Sequence, residues 1–488
     1  MSASATAPAV ATHGLWIDGA WGPSASGATS EVHDPATGGL LARVARADER
    51  DADRAVRAAA AAHPGWKATP VAERARIQQA AAALMRRDAE AIGRTLTLEL
   101  GRPLAAAVTE VRRSADLLDY FAQEGLRLRG ELPLLGEADE RVVVVQEPMG
   151  VVVAIAPFNY PITLLLMKVG AALITGNTVV AKPAQDTPLS TLMLADLFAE
   201  AGLPAGVLNV LTGQGRELGE ALVGHPLPAK VAFTGSTRAG IRIRQLTAET
   251  NKRVTLELGG QSPAIVCEDA DLDAAIPALV RHAYANSGQF CYRVNRLYVA
   301  APIYEAFLER FVAGARALRV GNGLDEGVDL GPMIGERIMA TSVEQVADAR
   351  ARGARILCGG ERLTGGAFDG GCFFPPTVIA DATPEMLVMR EETFGPVVGI
   401  APFETVEEAI ALANDTRYGL AGYVFSADLR RAWRIAEAIE AGSVWVNDIH
   451  RSLHSVPFGG YKQSGLGREK SRHGLDEYLE LKTMYLGL

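Results

Sequence analysis

"VVVAIAPFNYPITLLLMKVGAALITGNTVVAKP", residues 151–183, decides the fold. A β-branched apolar run comes first, then a segment of helical length that ends on glycine, then a second short apolar run. Branched side chains suit strands, and glycine suits the end of a helix. The rhythm continues downstream. Segments 188–202, 215–225 and 237–250 read as helices, and 207–213, 230–236 and 252–260 as strands. Strands alternating with helices of this length build βαβ units and a parallel sheet, which binds ligands at the carboxyl ends of its strands. The fold class is therefore α/β, with a Rossmann-type sheet at its centre.

Around this core the chain divides further. Apolar residues at three- and four-residue spacing predict helices over 47–63 and 70–124, and the valine-rich stretch 140–150 predicts a strand. A second α/β region runs from 259 to 460, opened by the helix "DLDAAIPALVRHAYANSG". The final "EYLELKTMYL" alternates, with Leu479, Leu481, Thr483 and Tyr485 on one face. Such a strand pairs with an existing sheet edge.

Whole-chain properties exclude several classes. The 488 residues carry a formal charge of −9 and no long basic run, which argues against a nucleic-acid or anionic-membrane coat. The longest apolar stretch is interrupted by Asn159, Pro161, Lys168 and Asn177, too often to span a bilayer. Four cysteines, at 267, 291, 358 and 372, form neither CxxC nor a dense framework, as expected of a reduced cytoplasmic protein. There is no HExxH, no GxSxG and no metal-ligand cluster.

Chemistry concentrates where strands end. Asn159 in "PFNYP" can donate to an oxyanion. Lys182 in "VVAKP" can donate to ribose hydroxyls or a phosphate. "FTGSTRAG" turns from strand to helix at Gly235 and Ser236, which suits a pyrophosphate, although its spacing is not GxGxxG. In "LELGG", Glu257 sits between leucines, a setting that raises a carboxylate pKa and suits a general base. "EETFGPV" offers Glu392 to ribose hydroxyls and Phe394 to a flat ring. "SGQFCYR" sets Cys291 after a small, flexible run, and the nearest histidine is His282 on the preceding helix. Each motif alone also fits an ordinary turn or core position.

Their order is more specific. PFNYP, NTVVAKP, FTGSTRAG, LELGG, NSGQFC, EETFGPV and SVPFGGYKQSGLGRE together resemble the NAD(P)-dependent aldehyde dehydrogenase superfamily. "KQSGLGREKSRHGLDEYLELK" looks most like its semialdehyde branch. The resemblance implies that Cys291 is the nucleophile, Glu257 the general base, and Asn159 the oxyanion donor with the Cys291 amide. It further implies that Lys182 holds the adenosine ribose, Gly235 and Ser236 the pyrophosphate, and Glu392 and Phe394 the nicotinamide ribose and ring. Ala156, Pro157, Phe158 and Gly259 join the cofactor site in the same blocks. The family pattern also implies a dinucleotide domain (1–129 and 150–258), a catalytic domain (259–460), and a bridging element (130–149 and 461–488) that makes a homodimer or homotetramer.

Two departures bear on specificity. Many relatives carry a glutamate three residues after the lysine of the KP motif. Here that position is Gln185, which predicts that NADP is accepted as well as NAD. Semialdehyde enzymes commonly carry an arginine at the position of Met167, and some carry another at that of Ala285; both charges are absent. With Phe158, Tyr160, Met167, Phe290 and Tyr292 lining the tunnel, the expectation is a neutral aliphatic or aromatic aldehyde. Arg451 remains as a cation at the tunnel mouth, and a succinic-type semialdehyde as the alternative substrate. A CoA-acylating enzyme, a non-catalytic binding protein and a Cys–His thiol hydrolase are the rival classes. Glu257 argues against the first, and the intact cysteine and glutamate against the second. The third leaves the dinucleotide motifs unexplained.

Overall fold

The computed structural model describes residues 10–133, 140–449 and 453–487. The run 151–183 forms a buried strand Val151–Ile155, a helix Pro161–Ile174 and a second buried strand Thr178–Lys182. Pro161 occupies the first helical position, where its missing N–H costs nothing. The two strands pair in parallel, Val151 opposite Thr178 and Ile155 opposite Lys182. Strands Lys230–Thr234 and Arg253–Glu257 extend the sheet on one side, and Leu208–Val210 on the other, all in parallel.

This sheet has eight strands. Three members lie far from the rest in sequence: Leu15–Ile17, its edge partner Ala20–Gly22, and Gly465–Leu466. Leu15–Ile17 enters antiparallel beside Leu208–Val210, and Gly465–Leu466 closes the opposite edge against Leu256 and Glu257. The second pairing was not expected, because segment 461–488 was read as bridging element only. The chain from Gly465 reaches back to the first sheet and lies against Glu257. Separately, Leu479–Gly487 pairs antiparallel with Glu140–Pro148.

A second, seven-stranded sheet uses residues 262–446, with Ser262–Val266 between Val294–Ala300 and Ala421–Phe425. The single helical stretch expected over 70–124 is three helices: Val71–Arg87, Ala89–Leu100 and Leu104–Gly125. The breaks fall at Asp88 and at Gly101-Arg102-Pro103. Gly101 takes φ +87°, and a side chain there would strike Pro332. Among the described residues no helix is long and apolar enough to cross a membrane.

Candidate active site

A cavity of about 930 Å³ runs along the carboxyl ends of the first sheet. Its lining includes Ala156, Pro157, Phe158, Asn159, Lys182, Gln185, Gly235, Ser236, Glu392 and Phe394, with Cys291 among them. Eleven expected residues, from five separate motifs, thus share one wall system. Gly259 and Glu257 lie just behind it. Tyr160, Met167, Phe290 and Tyr292 do not line it, and Arg451 lies outside the described residues.

The lining fits a dinucleotide. Lys182 is buried, its ammonium makes one long bond to the Pro183 carbonyl at 3.3 Å, and burial pulls its pKa down to about 8. An ammonium has three protons to donate, so most of its capacity is open to ribose hydroxyls. Ser236 caps helix Thr237–Thr247, with its side chain accepting from the Ala239 amide at 3.3 Å. The free amides of that helix end suit a phosphate. Gly219, Val223, Ile243 and Leu246 supply an apolar slot between two helices. Glu392 accepts from the Gly260 amide at 3.0 Å, and burial raises its pKa to about 7. A side chain at Gly259 would stand 2.8 Å from the Glu392 carboxylate, which explains the glycine. Phe158 and Phe394 meet edge to face at 5.8 Å. Arg216 and Arg238 also line the cavity and were not picked out in the sequence. Their exposure on helix starts looks, in sequence, like ordinary solvated charge.

Cys291 is placed by an unusual turn. Asn286, Ser287 and Gly288 all take positive φ. A side chain at Gly288 would run into the Gly395 carbonyl, so the approach to the cysteine requires glycine. Burial raises the thiol pKa first, then the charges of Glu392 and Glu257, while the backbone amides of Cys291 and Tyr292 oppose the rise. The thiol therefore needs a nearby base. Asn159 donates one amide proton to the Gln289 carbonyl at 2.9 Å, leaving a second for a substrate oxygen. Its backbone carbonyl accepts from Arg102, which also bonds Asn286 at 3.2 Å, pairs with Glu110, and stacks 3.9 Å over the Tyr160 ring. Arg102 was missed in the sequence, for nothing in "LGRP" distinguishes it from a surface arginine.

Glu257 is 2% exposed, and both carboxylate oxygens lack a partner among the described residues. Burial holds its pKa well above the usual range, and the nearby Glu469 adds to this. Lys168, Arg468 and Lys470 oppose it. Glu469 was also missed. It pairs with Lys168 at 2.7 Å, and that ammonium donates further to Thr234 at 2.7 Å. The Glu257 carboxylate lies so close to Gly459 that a side chain there would stand 2.8 Å from its oxygen.

His282 is no partner for the cysteine. Its Nδ1 accepts from the Val294 amide at 3.3 Å, Nε2 faces the Tyr423 hydroxyl at 3.4 Å, and burial drives its pKa down to about 3. On the side away from the cavity, the rings of Tyr160, Phe290, Tyr292 and Phe458 pack edge to face, with Phe290 and Tyr292 4.9 Å apart. Met167 is buried in the core beneath Tyr160.

Comparison with known proteins agrees with this geometry. A model of the aldehyde dehydrogenase family matches residues 21–484. The chain is 44% identical over 480 residues to a 3-sulfolactaldehyde dehydrogenase of Pseudomonas putida, covering 98% of each. It is 42% identical to the NADP-dependent succinate-semialdehyde dehydrogenase of Escherichia coli, covering 97% of each. A betaine aldehyde dehydrogenase of Staphylococcus aureus, solved with NAD+, superposes with a TM-score of 0.95 at 36% identity, over 97% of this chain and 94% of that one.

Proposed function

The chain belongs to the aldehyde dehydrogenase family and works with NAD or NADP; from that premise we propose how its residues divide the oxidation of an aldehyde to a carboxylic acid. Cys291, as thiolate, attacks the aldehyde carbon. Asn159 and the Cys291 amide hold the oxygen as it becomes an anion. The bound dinucleotide supplies the hydride acceptor. Lys182, Ser236 and Glu392 would hold it by its hydroxyls and phosphates, and Phe394 would pack against its nicotinamide. Loss of hydride from the thiohemiacetal carbon leaves a thioester on Cys291. Glu257, its carboxyl pKa held well above the usual range by burial, takes a proton from water, and the hydroxide releases the acid.

The observation that carries this reading is the convergence of Cys291 and Asn159 on the same cavity as Lys182, Ser236 and Glu392. The test mixes protein, NAD(P)+ and an aldehyde, with and without CoA, and follows NAD(P)H. Turnover that needs CoA refutes hydrolysis by Glu257, and no turnover on any aldehyde refutes the whole assignment.

NADP acceptance rests on Gln185 and Lys182 and gains support from Arg216 and Arg238 on the same cavity. The ratio of kcat/KM for NADP over NAD decides it. The two-stranded sheet of 140–148 and 479–487 leaves Leu481 and Tyr485 each 71% exposed. An apolar strand so open supports a homo-oligomer, which sedimentation tests.

The aldehyde itself has two readings. Buried Met167 and the aromatic wall support a neutral chain, as the sequence suggested. One observation favours the acid-bearing alternative: the structure brings Lys470 to that same wall.

A further inference from the structure

Lys470 has φ +60° and ψ 177°. That conformation is open to glycine and strained for a residue with a side chain. The neighbouring Ser471 also has positive φ, and the pair is pinned by the Ser471 amide donating to the His454 carbonyl at 2.9 Å. The side chain held at this expense is 4% exposed. Its ammonium stands 5.2 Å from the Phe458 ring centre, and that ring lies 5.6 Å from the ring of Tyr292, the residue after Cys291. Burial pulls the ammonium pKa down to about 8, and the charges of Glu469, Glu257 and Cys291 resist that fall.

A second cation approaches the same wall. Arg113, on helix Leu104–Gly125, is exposed and has no ion pair among the described residues. It is three residues beyond Glu110, which accepts from the Thr163 amide at 3.1 Å. Beside it, Ser114 bonds the Thr163 hydroxyl at 2.7 Å, so this part of the helix lies against the segment that carries Tyr160. The charge of Arg113 acts on Tyr160, Tyr292 and Lys470.

Resting on the aldehyde-oxidising reading above, we propose that Lys470, with Arg113 at the entrance, receives a distal anionic group on the aldehyde, a carboxylate or a sulfonate. The arginines absent at positions 167 and 285 are then replaced by cations from two other segments. Tyr160, Phe290 and Tyr292 hold the carbon chain between the anion and Cys291.

The experiment compares kcat and KM for succinic semialdehyde, a sulfonate-bearing aldehyde and butanal, in the wild type, Lys470→Gly and Arg113→Met. Glycine is at ease at this backbone, so the first variant keeps the fold. The wild type is expected to favour the anionic aldehydes over butanal by about tenfold or more. Lys470→Gly is expected to cut that ratio by about 10–100-fold, through KM. Arg113→Met is expected to cut it by about threefold, because its charge is solvent-screened. Whichever anion loses more in Lys470→Gly identifies the distal group. If all three aldehydes fall together in Lys470→Gly, the lysine acts on fold or thiol and the proposal is overturned. Butanal preferred by the wild type overturns it as well, while leaving the oxidation reading intact. No turnover on any of the three removes both.

Discussion

Cys291 separates two regions built on different plans. On the side proposed for the cofactor, Lys182, Gln185, Gly235 and Ser236 come from the ends of strands of one parallel sheet, each within a few residues of its strand. On the aldehyde side, Tyr160, Phe290, Tyr292, Phe458 and Lys470 come from three distant segments and meet through ring packing. The first region is repetitive, since a parallel sheet brings all its carboxyl ends to one edge. The second has no repeat, and its charge is set by which loop happens to close over the rings. Motif order along the chain therefore reaches the residues of the sheet edge more directly than those of the ring cluster.

The largest effect breaks the point where the two regions meet. Cys291→Ala is expected to remove aldehyde oxidation by about 10⁶-fold, the scale of losing a covalent nucleophile. Dinucleotide binding, read by fluorescence titration, should survive. Comparable loss on changing Cys267, Cys358 or Cys372 instead would contradict the assignment.

Next comes the base. Glu257→Gln should slow steady-state turnover by about 10²–10⁴-fold while an NAD(P)H burst near one per site remains. Rapid-mixing traces distinguish this from loss of hydride transfer, which would abolish the burst.

The buried pair behind the base gives the third test. Lys168 and Glu469 are 0% and 1% exposed. Lys168→Met strands a buried carboxylate and should cost about 3–5 kcal/mol, read from the denaturant midpoint. It also has a signed effect on pH dependence. The base works as the carboxylate, so turnover rises with pH through its raised pKa. Lys168 opposes that rise in pKa. Removing it should move the acid limb of the kcat profile to higher pH, and a shift to lower pH would contradict the charge coupling.

The smallest effect sharpens the cofactor side. Gln185→Glu places a carboxylate near the adenosine ribose and should lower the NADP-over-NAD ratio of kcat/KM by about tenfold. An unchanged ratio would move the phosphate contact elsewhere, with Arg216 and Arg238 the next variants to make.

The sequence by itself determined the sheet, its strand order along the chain, and the residues that gather at its carboxyl edge. Those features are local: a β-branched run, a helix start or a paired glycine is written within ten residues of the group it positions. It also separated Cys291 from the other three cysteines, through the company of six ordered motifs. Only the tertiary structure decided the surroundings of the reacting groups. Arg102 holds the Asn159 carbonyl from 57 residues away, and Glu469 meets Lys168 across 301. The strain at Lys470 appears only in its dihedral angles, and the hand-back of Gly465 to the first sheet only in its pairing with Glu257. A buried charge is fixed by what faces it after the chain has closed, and no periodicity or spacing records a partner that arrives from another sheet.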